Sequence, residues 1–210
     1  MERTPGTAST HVFLLLLLLP DWTSLTRADA HCLCYNFTVM FKSPPEQPWC
    51  KVQGQVDENT FLYCDCGTNK SINLSFLGKT VNATKEWEEQ IKTLREVVKE
   101  LRLKISDIKL ENYTTTAPLT LQAKMCCQRT AGKRTGASWK FGFGGQTFLL
   151  FHSRSRNWTE VRPGARLMKE KWEKDRELNG FFKRLSEGDC NKWLRKFWDH
   201  WEKILEPTGK

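Results

Sequence analysis

The spacing of apolar residues along the chain switches between two residues and three to four residues, and each switch predicts a change from strand to helix or back. Leu33, Tyr35, Phe37, Val39 and Phe41 alternate with more polar residues, which indicates a half-buried strand. Short proline-rich or polar turns separate this strand from the segments that follow. Further strands are predicted at 49–56, at 60–66 and, more weakly, at 71–77.

From Thr84 the apolar residues recur every three or four positions, with charged residues on the opposite side. This spacing predicts one long amphipathic helix that ends before the polar run 111–116. Its apolar stripe contains Trp87, Ile91, Leu94, Val98, Leu101, Ile105 and Ile108.

A second alternating region follows, in which Leu119, Leu121, Ala123, Met125 and Cys127 share one face of a strand. Cys126 lies on the other face with Thr120, Gln122 and Lys124. A basic turn is predicted at 131–136, a hairpin turn at Gly144-Gly145, and strands at 139–143, 146–151 and 156–161.

The segment 163–207 predicts a second long helix with a strongly aromatic stripe. We expect this helix to be broken at Gly188-Asp189, next to Cys190. Trp198 falls outside the stripe, and its neighbour is not predicted. The stripe contains Met168, Trp172, Leu178, Phe182 and Leu185 before the break, and Trp193, Phe197, Trp201 and Leu205 after it.

Four strands and a helix are thus followed by four more strands and a helix. The simplest packing of two such halves is an α+β platform, with an eight-stranded antiparallel sheet covered on one face by two long helices. The halves are expected at about 31–116 and 117–207, and residues 208–210 form a short C-terminal end.

The cysteine positions predict disulfide bonds between these elements. Cys127 faces the helices, so we predict a bridge to Cys190, and we predict a second bridge between Cys50 and Cys66 on adjacent strands. The remaining four cysteines are less determined by position. If the first strands of the two halves are central neighbours, Cys34 and Cys126 could pair beneath the sheet, whereas Cys32 and Cys64 have no predicted partner.

The N-terminal 30 residues predict a secretory signal peptide, because an apolar run at 12–20 precedes the small residues Ala28 and Ala30. All eight cysteines follow this segment, as is typical of a chain that enters an oxidising compartment. Glycosylation sequons add to the prediction of an extracellular protein, and they stand at Asn36, Asn69, Asn73, Asn82, Asn112 and Asn157.

The formal net charge of +9 allows binding to nucleic acid or sulfated polyanions, but the basic residues are dispersed among acids. A solvated helix face is the preferred interpretation, and no nucleic-acid partner is predicted. The three histidines after the signal segment form no recognisable catalytic arrangement, and the cysteines lack the paired spacing of a zinc site. We therefore predict neither an enzyme nor a bound cofactor or metal.

A series of short motifs runs through residues 31–207. The motifs are Pro48-Trp-Cys50, Val52-Gln-Gly-Gln-Val-Asp57, Asp65-Cys66-Gly67, Leu94-Arg-Glu-Val-Val98, Leu110-Glu-Asn-Tyr-Thr114, Pro118-Leu-Thr-Leu-Gln122, Phe148-Leu-Leu-Phe151, Pro163-Gly-Ala-Arg166, Met168-Lys-Glu-Lys-Trp-Glu-Lys-Asp175, Gly188-Asp-Cys190 and Leu205-Glu-Pro207. Their order and spacing together resemble one known family, the ULBP / retinoic-acid-early-transcript group of MHC class I-like proteins. This resemblance implies an MHC class I-like alpha-1/alpha-2 platform.

The resemblance implies a stress-induced glycoprotein that binds and activates the natural killer group 2 member D receptor, without beta-2-microglobulin and without a bound peptide. The alternatives are a soluble decoy ligand and a groove-loaded carrier of lipid or peptide. This chain departs from the family at Cys64 and Cys126, where Tyr or Ser is usual, and at His152, where an acid is usual.

The resemblance further implies that the receptor contacts the outer faces of both helices. Family members continue into an anchor segment, whereas this chain ends at Lys210, so we expect a secreted product. A longer chain would instead be anchored at the cell surface. The expected contact residues are Lys85, Glu88, Lys92, Arg95 and Lys99 on the first helix, and Arg166, Met168, Lys169, Trp172 and Asp175 on the second.

Overall fold

A computed structural model of the chain provides the fold. The predicted signal segment, the sequons at Asn69 and Asn112, and the C-terminal residues 207–210 lie outside the residues that it describes. The described residues are 30–41, 43, 47–66, 71–108, 119–130, 133–134 and 137–206.

The first half of the chain contains four strands, β1 to β4, that pair antiparallel in sequence order. The prediction of a strand at 71–77 is wrong in its last residues, because the chain turns into a short helix, α1, at Phe76. The helical turn buries Leu77 and Val81, and the Leu77 carbonyl accepts a hydrogen bond from the indole of Trp201 at 3.0 Å. The bounds are β1 His31–Met40, β2 Cys50–Val56, β3 Asn59–Cys66, β4 Ser71–Leu74 and α1 Phe76–Val81.

The second half repeats this arrangement with one additional strand. The predicted hairpin turn at Gly144-Gly145 is confirmed, and both residues have the positive φ that such a turn requires, 56° and 79°. Two residues of the predicted basic turn form the short strand β6, which pairs with the end of β5. The bounds are β5 Thr120–Thr130, β6 Lys133–Arg134, β7 Ser138–Phe143, β8 Gln146–His152 and β9 Asn157–Glu160.

All the strands belong to one antiparallel sheet, in the order β4-β3-β2-β1-β5-β7-β8-β9, with β6 attached to β5. The two halves meet where β1 pairs with β5, from His31 opposite Arg129 to Met40 opposite Thr120. The first strands of the two halves are therefore central neighbours, which is the condition for pairing Cys34 with Cys126.

Helices cover the upper face of the sheet. The first is α2, Lys85–Ile108, and the predicted second helix consists of α3 Arg166–Lys174, α4 Arg176–Lys183 and α5 Cys190–Leu205. A break between α3 and α4 was not predicted. At the predicted break near Gly188 the backbone stays helical and passes through a π-helical turn at Arg184–Asp189.

The core lies between the sheet and the helices and is dominated by aromatic side chains. Trp139 on β7 and Trp172, Trp193 and Trp201 on the helices are all fully buried. The aromatic stripe of the last helix faces this core, and Trp201 also packs on Phe61 with 5.0 Å between ring centroids.

Trp198, whose neighbour was not predicted, stacks on His31 with 3.5 Å between ring centroids. The imidazole of His31 also lies 2.8 Å from an Asp57 carboxylate oxygen and 3.1 Å from a Glu206 carboxylate oxygen. The first residue of β1 is therefore attached directly to the end of α5.

Three disulfide bonds are present, and all three pairings match those considered from the sequence. Cys127 on β5 is bonded to Cys190 at the start of α5, and Cys50 on β2 is bonded to Cys66 on β3. Cys34 and Cys126 lie directly opposite each other on β1 and β5 and are bonded beneath the sheet. Cys32 and Cys64 are free.

Within the described ranges, no helix is both long enough and apolar enough to cross a membrane.

The Cys127–Cys190 bridge joins residues 63 positions apart and fixes α5 on the sheet. We expect the double variant Cys127→Ala with Cys190→Ala to lower the free energy of unfolding by about 2–5 kcal/mol. Urea denaturation followed by tryptophan fluorescence measures this loss. Cys64→Ala removes a free cysteine and is the matched control. A bridge-free variant as stable as the control would contradict the expectation.

Candidate functional site

The outer surfaces of α2, α3, α4 and α5 form one continuous face above the sheet, which we call the two-helix face. On α2, the predicted contact residues Lys85, Glu88, Lys92, Arg95 and Lys99 are all exposed. They do not share one direction. Arg95 and Lys99 border a 520 Å³ pocket between α2 and the strands at the sheet edge, so they lie on the outer flank of the helix.

On α3, Arg166 is exposed and Lys169 is half-buried, and each pairs with a glutamate one turn further along the helix. The prediction that Met168 and Trp172 contact a receptor is wrong. Their exposed fractions are 3% and 0%, so neither side chain reaches the two-helix face.

Trp172 belongs to the core because it lies at the centre of an aromatic cluster. Its ring meets Phe141 on β7 edge-on at 5.2 Å and Trp158 on β9 at 5.5 Å, measured between ring centroids. Met168 is one turn earlier on the same side of α3. Met168 and Trp172 are four residues apart, which is the spacing of apolar residues on the buried side of a helix. That spacing in the sequence indicated burial, and both side chains are buried.

Asp175 joins the two sides of the face. Its carboxylate accepts a 3.0 Å hydrogen bond from the Leu178 N–H, which caps α4, and another from the Lys104 ammonium of α2 at 2.7 Å. Partial burial on its own raises the pKa of Asp175, but the Leu178 N–H and the Lys104 charge outweigh it, so the pKa is lowered overall. The predicted contact residue Asp175 is therefore engaged in holding the helices together.

A second ion pair closes the other end of the helix pair. The Lys192 ammonium on α5 lies 2.5 Å from a Glu89 carboxylate oxygen on α2. The hydrogen bond to Lys192 lowers the pKa of Glu89. Below this end, the buried hydroxyl of Tyr35 donates a hydrogen bond to the side-chain oxygen of Gln90, which links β1 to α2.

The space between the helices and the central strands is filled by side chains. Phe37 stacks on Trp139 with 6.0 Å between ring centroids, and Trp139 in turn lies 4.4 Å from Phe182 of α4. At the other end, Tyr35 meets Trp193 of α5 edge-on at 6.0 Å. Because these side chains occupy the position of a groove, the helices are joined across a packed interior.

A shallow depression of 660 Å³ lies between the helices, beside the Lys104–Asp175 pair. Leu103 and Phe181 supply apolar surface to it, and charged residues including Arg176 surround them. Sequence reasoning missed these two residues. Leu103 lies outside the apolar stripe of its helix and is 67% exposed. An apolar residue outside the stripe is the sequence feature that could have indicated an apolar contact on the outer face of the helix.

The described sequons differ in their surroundings. Asn73, Asn82 and Asn157 are exposed, at the edges of the platform. Asn36 is half-buried in the middle of β1 on the lower face of the sheet, and its amide donates a 2.9 Å hydrogen bond to the side chain of Gln55.

Because Trp172 is a core residue, Trp172→Ala should lower the free energy of unfolding by about 3–5 kcal/mol, as is usual when a buried tryptophan is truncated. The neighbouring Leu167, on the same helix, is 61% exposed. Leu167→Ala is therefore the matched control and should cost less than about 1 kcal/mol. Thermal denaturation followed by circular dichroism measures both. Equal losses in the two variants would contradict the placement of Trp172.

The Asp175–Lys104 pair predicts a pH-dependent contribution to stability. Asp175→Asn retains an N-cap acceptor but removes the charge, so we expect a loss of up to about 1 kcal/mol at neutral pH. Because the folded state lowers the pKa of Asp175, the charge stabilises the fold above about pH 4, and this contribution disappears as the pH falls through the folded-state pKa.

Urea unfolding of wild type and Asp175→Asn at several pH values between neutral and acidic tests this expectation. The difference between the two proteins should be largest near neutral pH and should vanish in acid. Glu170→Gln removes a charge from the exposed pair with Arg166 and should change little at any pH. A difference for Asp175→Asn that grows in acid would contradict the assignment.

Comparison of the sequence with known proteins identifies the family of the chain. The profile of class I histocompatibility antigen, domains alpha 1 and 2, matches residues 29–205. Human UL16-binding protein 1 is 49% identical over 205 residues, covering 96% of this chain and 84% of the relative. Human UL16-binding protein 2 is 50% identical over 205 residues, covering 96% and 83%.

Human retinoic acid early transcript 1E is 43% identical over 208 residues, covering 99% of this chain and 79% of the relative. These similarities extend over both halves of the platform and both helical segments. The chain belongs to the UL16-binding protein / retinoic acid early transcript family of MHC class I-like proteins.

Proposed function

We propose that this chain is a ligand of the natural killer group 2 member D receptor, and that it binds the receptor through the two-helix face. The observation that carries the proposal is the closed, side-chain-filled platform. With Phe37, Trp139 and Phe182 packed where a groove would lie, the helical surface itself is what the molecule offers to a partner. Family membership supports the same proposal.

The composition of the face supports a protein partner. Exposed Arg176 and Arg184 line the depression that contains Leu103 and Phe181, together with acidic residues such as Glu177. Protein interfaces commonly combine a small, desolvated anchor region with a polar rim. The depression provides the anchor region, and the charged residues Arg176, Glu177 and Arg184 provide a polar rim.

The ion pairs across the face reduce the cost of binding. Lys104–Asp175 and Lys192–Glu89 hold α2 against the second helical segment before any partner arrives. A surface that is already in its bound arrangement loses less conformational entropy on association. These four residues therefore position the helices and are not proposed as receptor contacts.

An extracellular location forms part of the proposal. Exposed sequons at Asn73, Asn82 and Asn157 support a secreted or surface-exposed glycoprotein, as do the three disulfide bonds. The glycoprotein is proposed to promote natural killer cell cytotoxicity, to need no beta-2-microglobulin and to be no enzyme. A soluble decoy would use the same face, and a receptor-positive cell assay distinguishes activation from blockade.

Leu103→Glu places a charge in the apolar part of the depression, so we expect it to weaken binding of the soluble receptor at least tenfold, or about 1.4 kcal/mol. Lys140 lies exposed on β7 between the buried residues Trp139 and Phe141, and therefore points to the lower face. Lys140→Glu is the control and should leave affinity unchanged. Surface plasmon resonance with immobilised receptor measures both variants.

Two outcomes would contradict the proposal. Wild-type protein that does not bind the receptor would remove the function, and equal weakening by Leu103→Glu and Lys140→Glu would remove the proposed surface. Native mass spectrometry of the purified protein tests the alternative of a groove-loaded carrier. A co-purified lipid or peptide would favour that alternative.

A further inference from the structure

We propose that the pocket at the outer flank of α2 binds a free fatty acid, with the aliphatic chain in the pocket and the carboxylate at a basic rim. The pocket lies between α2 and the edge strands of the sheet, to the side of the two-helix face. The proposal therefore does not rest on the proposed receptor.

The floor of the pocket is a row of apolar side chains across three strands. Val52 on β2 lies opposite Cys64 on β3, and Cys64 lies opposite Ile72 on β4. Because Val52 faces the core, all three side chains point to the upper face of the sheet. The pocket above them has a volume of 520 Å³, within the range of about 300–1,000 Å³ that is usual for small-molecule sites.

Apolar side chains also form the walls of the pocket. Ile91, Leu94 and Val98 lie on the side of α2 that faces the edge strands, and Trp49, just before β2, adds an aromatic wall. On the sheet edge, Ile72 is 45% exposed. An aliphatic chain in this pocket would remove both its own apolar surface and that of the walls from water, which is favourable.

The thiol of Cys64 belongs to the floor as an uncharged group. Burial raises the pKa of this thiol to about 11, Arg95 lowers it and Asp65 raises it. At neutral pH the thiol is therefore protonated, and a buried free cysteine behaves as a small apolar residue. Asp65 also borders the pocket, but it follows Cys64 directly on β3, so its side chain points to the lower face.

Basic side chains follow one edge of the pocket. Arg95, Lys99 and Arg102 are separated by four and three residues on α2, so they lie on one side of the helix, and all three are exposed. Arg95 and Lys99 line the pocket, and the guanidinium carbon of Arg102 lies 4.4 Å from the centre of the Trp49 ring. In the described part of the chain, no carboxylate forms an ion pair with any of the three.

A fatty acid combines the two features that this pocket would recognise. Its chain matches the apolar floor and walls, and its carboxylate matches Arg95 and Lys99, because guanidinium and ammonium groups form charge-assisted hydrogen bonds with carboxylates. An alcohol of the same chain length would fill the pocket but would gain little from the basic rim. The pocket should therefore bind the acid more tightly than the alcohol.

Protection of Cys64 from N-ethylmaleimide tests the proposal at the pocket itself. The full chain, stripped of co-purified lipid, is labelled at mildly alkaline pH with and without lauric acid below its micelle concentration, and peptide mass spectrometry follows each cysteine. We expect lauric acid at tenfold its Kd to slow labelling of Cys64 about tenfold. Cys32, two residues from Cys34 and therefore on the lower face, is the internal control and should keep its rate.

Three outcomes of this assay would overturn the proposal. The first is labelling of Cys64 that lauric acid does not slow, which is also the result expected for a fatty acid held between the helices. The second is equal protection of Cys64 and Cys32, because that pattern indicates a general detergent effect. The third is equal protection of Cys64 by dodecanol. A wild-type protein that fails to bind the receptor would remove the proposed function and leave these results unchanged.

Charge reversal tests the rim. Arg95→Glu with Lys99→Glu should raise the lauric acid concentration for half-protection of Cys64 by at least about tenfold, because the carboxylate then meets like charges. Arg195→Glu with Lys196→Glu changes the net charge equally at two exposed positions on α5 and should leave that concentration unchanged. Equal effects of the two double variants, or none in the rim variant, would overturn the proposal.

Discussion

The antiparallel pairing of β1 with β5 is the contact on which the rest of the platform depends. It makes one sheet out of two halves of the chain, and only a sheet of that width can bury the apolar sides of α2 and α5 together. An amphipathic helix with an exposed apolar stripe is not stable alone in water. The helices therefore form because the sheet exists, and the sheet keeps a dry upper face because the helices cover it.

Aromatic side chains fill the space between the helices and the sheet, so the platform has a packed interior. Small residues at the centre would leave space between two helices above a sheet, whereas Phe37, Trp139 and Phe182 fill it. The interior thus contributes stability. A binding role consequently falls on the outer side chains, and Met168 and Trp172 are excluded from it by their burial.

The sequence predicted the order of elements well because period-two and helical spacings are imposed by burial against one core. It also indicated the pairing of Cys127 with Cys190, since one face of a strand and one face of a helix had to meet. The break at Asp175 was missed because the apolar stripe continues through it. Asp175 also accepts a hydrogen bond from the Leu178 N–H, so an aspartate at an N-cap position was a local signal for the break, and the ion pair with Lys104 adds a contact that is distant in sequence.

The side chains that form the two-helix face were harder to predict than the fold, for a related reason. Periodicity separates inside from outside but does not separate the top of a helix from its flank. Arg95 and Lys99 are exposed as expected, yet their position depends on how far α2 stands from the edge strands. Leu103 and Phe181 could be recognised as neighbours only once α2 and α4 had been placed beside each other.

The contact of His31 with Glu206 has a consequence for the connectivity of the fold. The Nε2 atom of His31, at the start of β1, lies 3.1 Å from a carboxylate oxygen of Glu206, just after α5, so the two ends of the platform lie next to each other. Domains with adjacent ends commonly tolerate circular permutation. A short linker between these ends would leave the sheet order and the helical packing unchanged, and new termini could be opened in an exposed turn such as Gly144-Gly145.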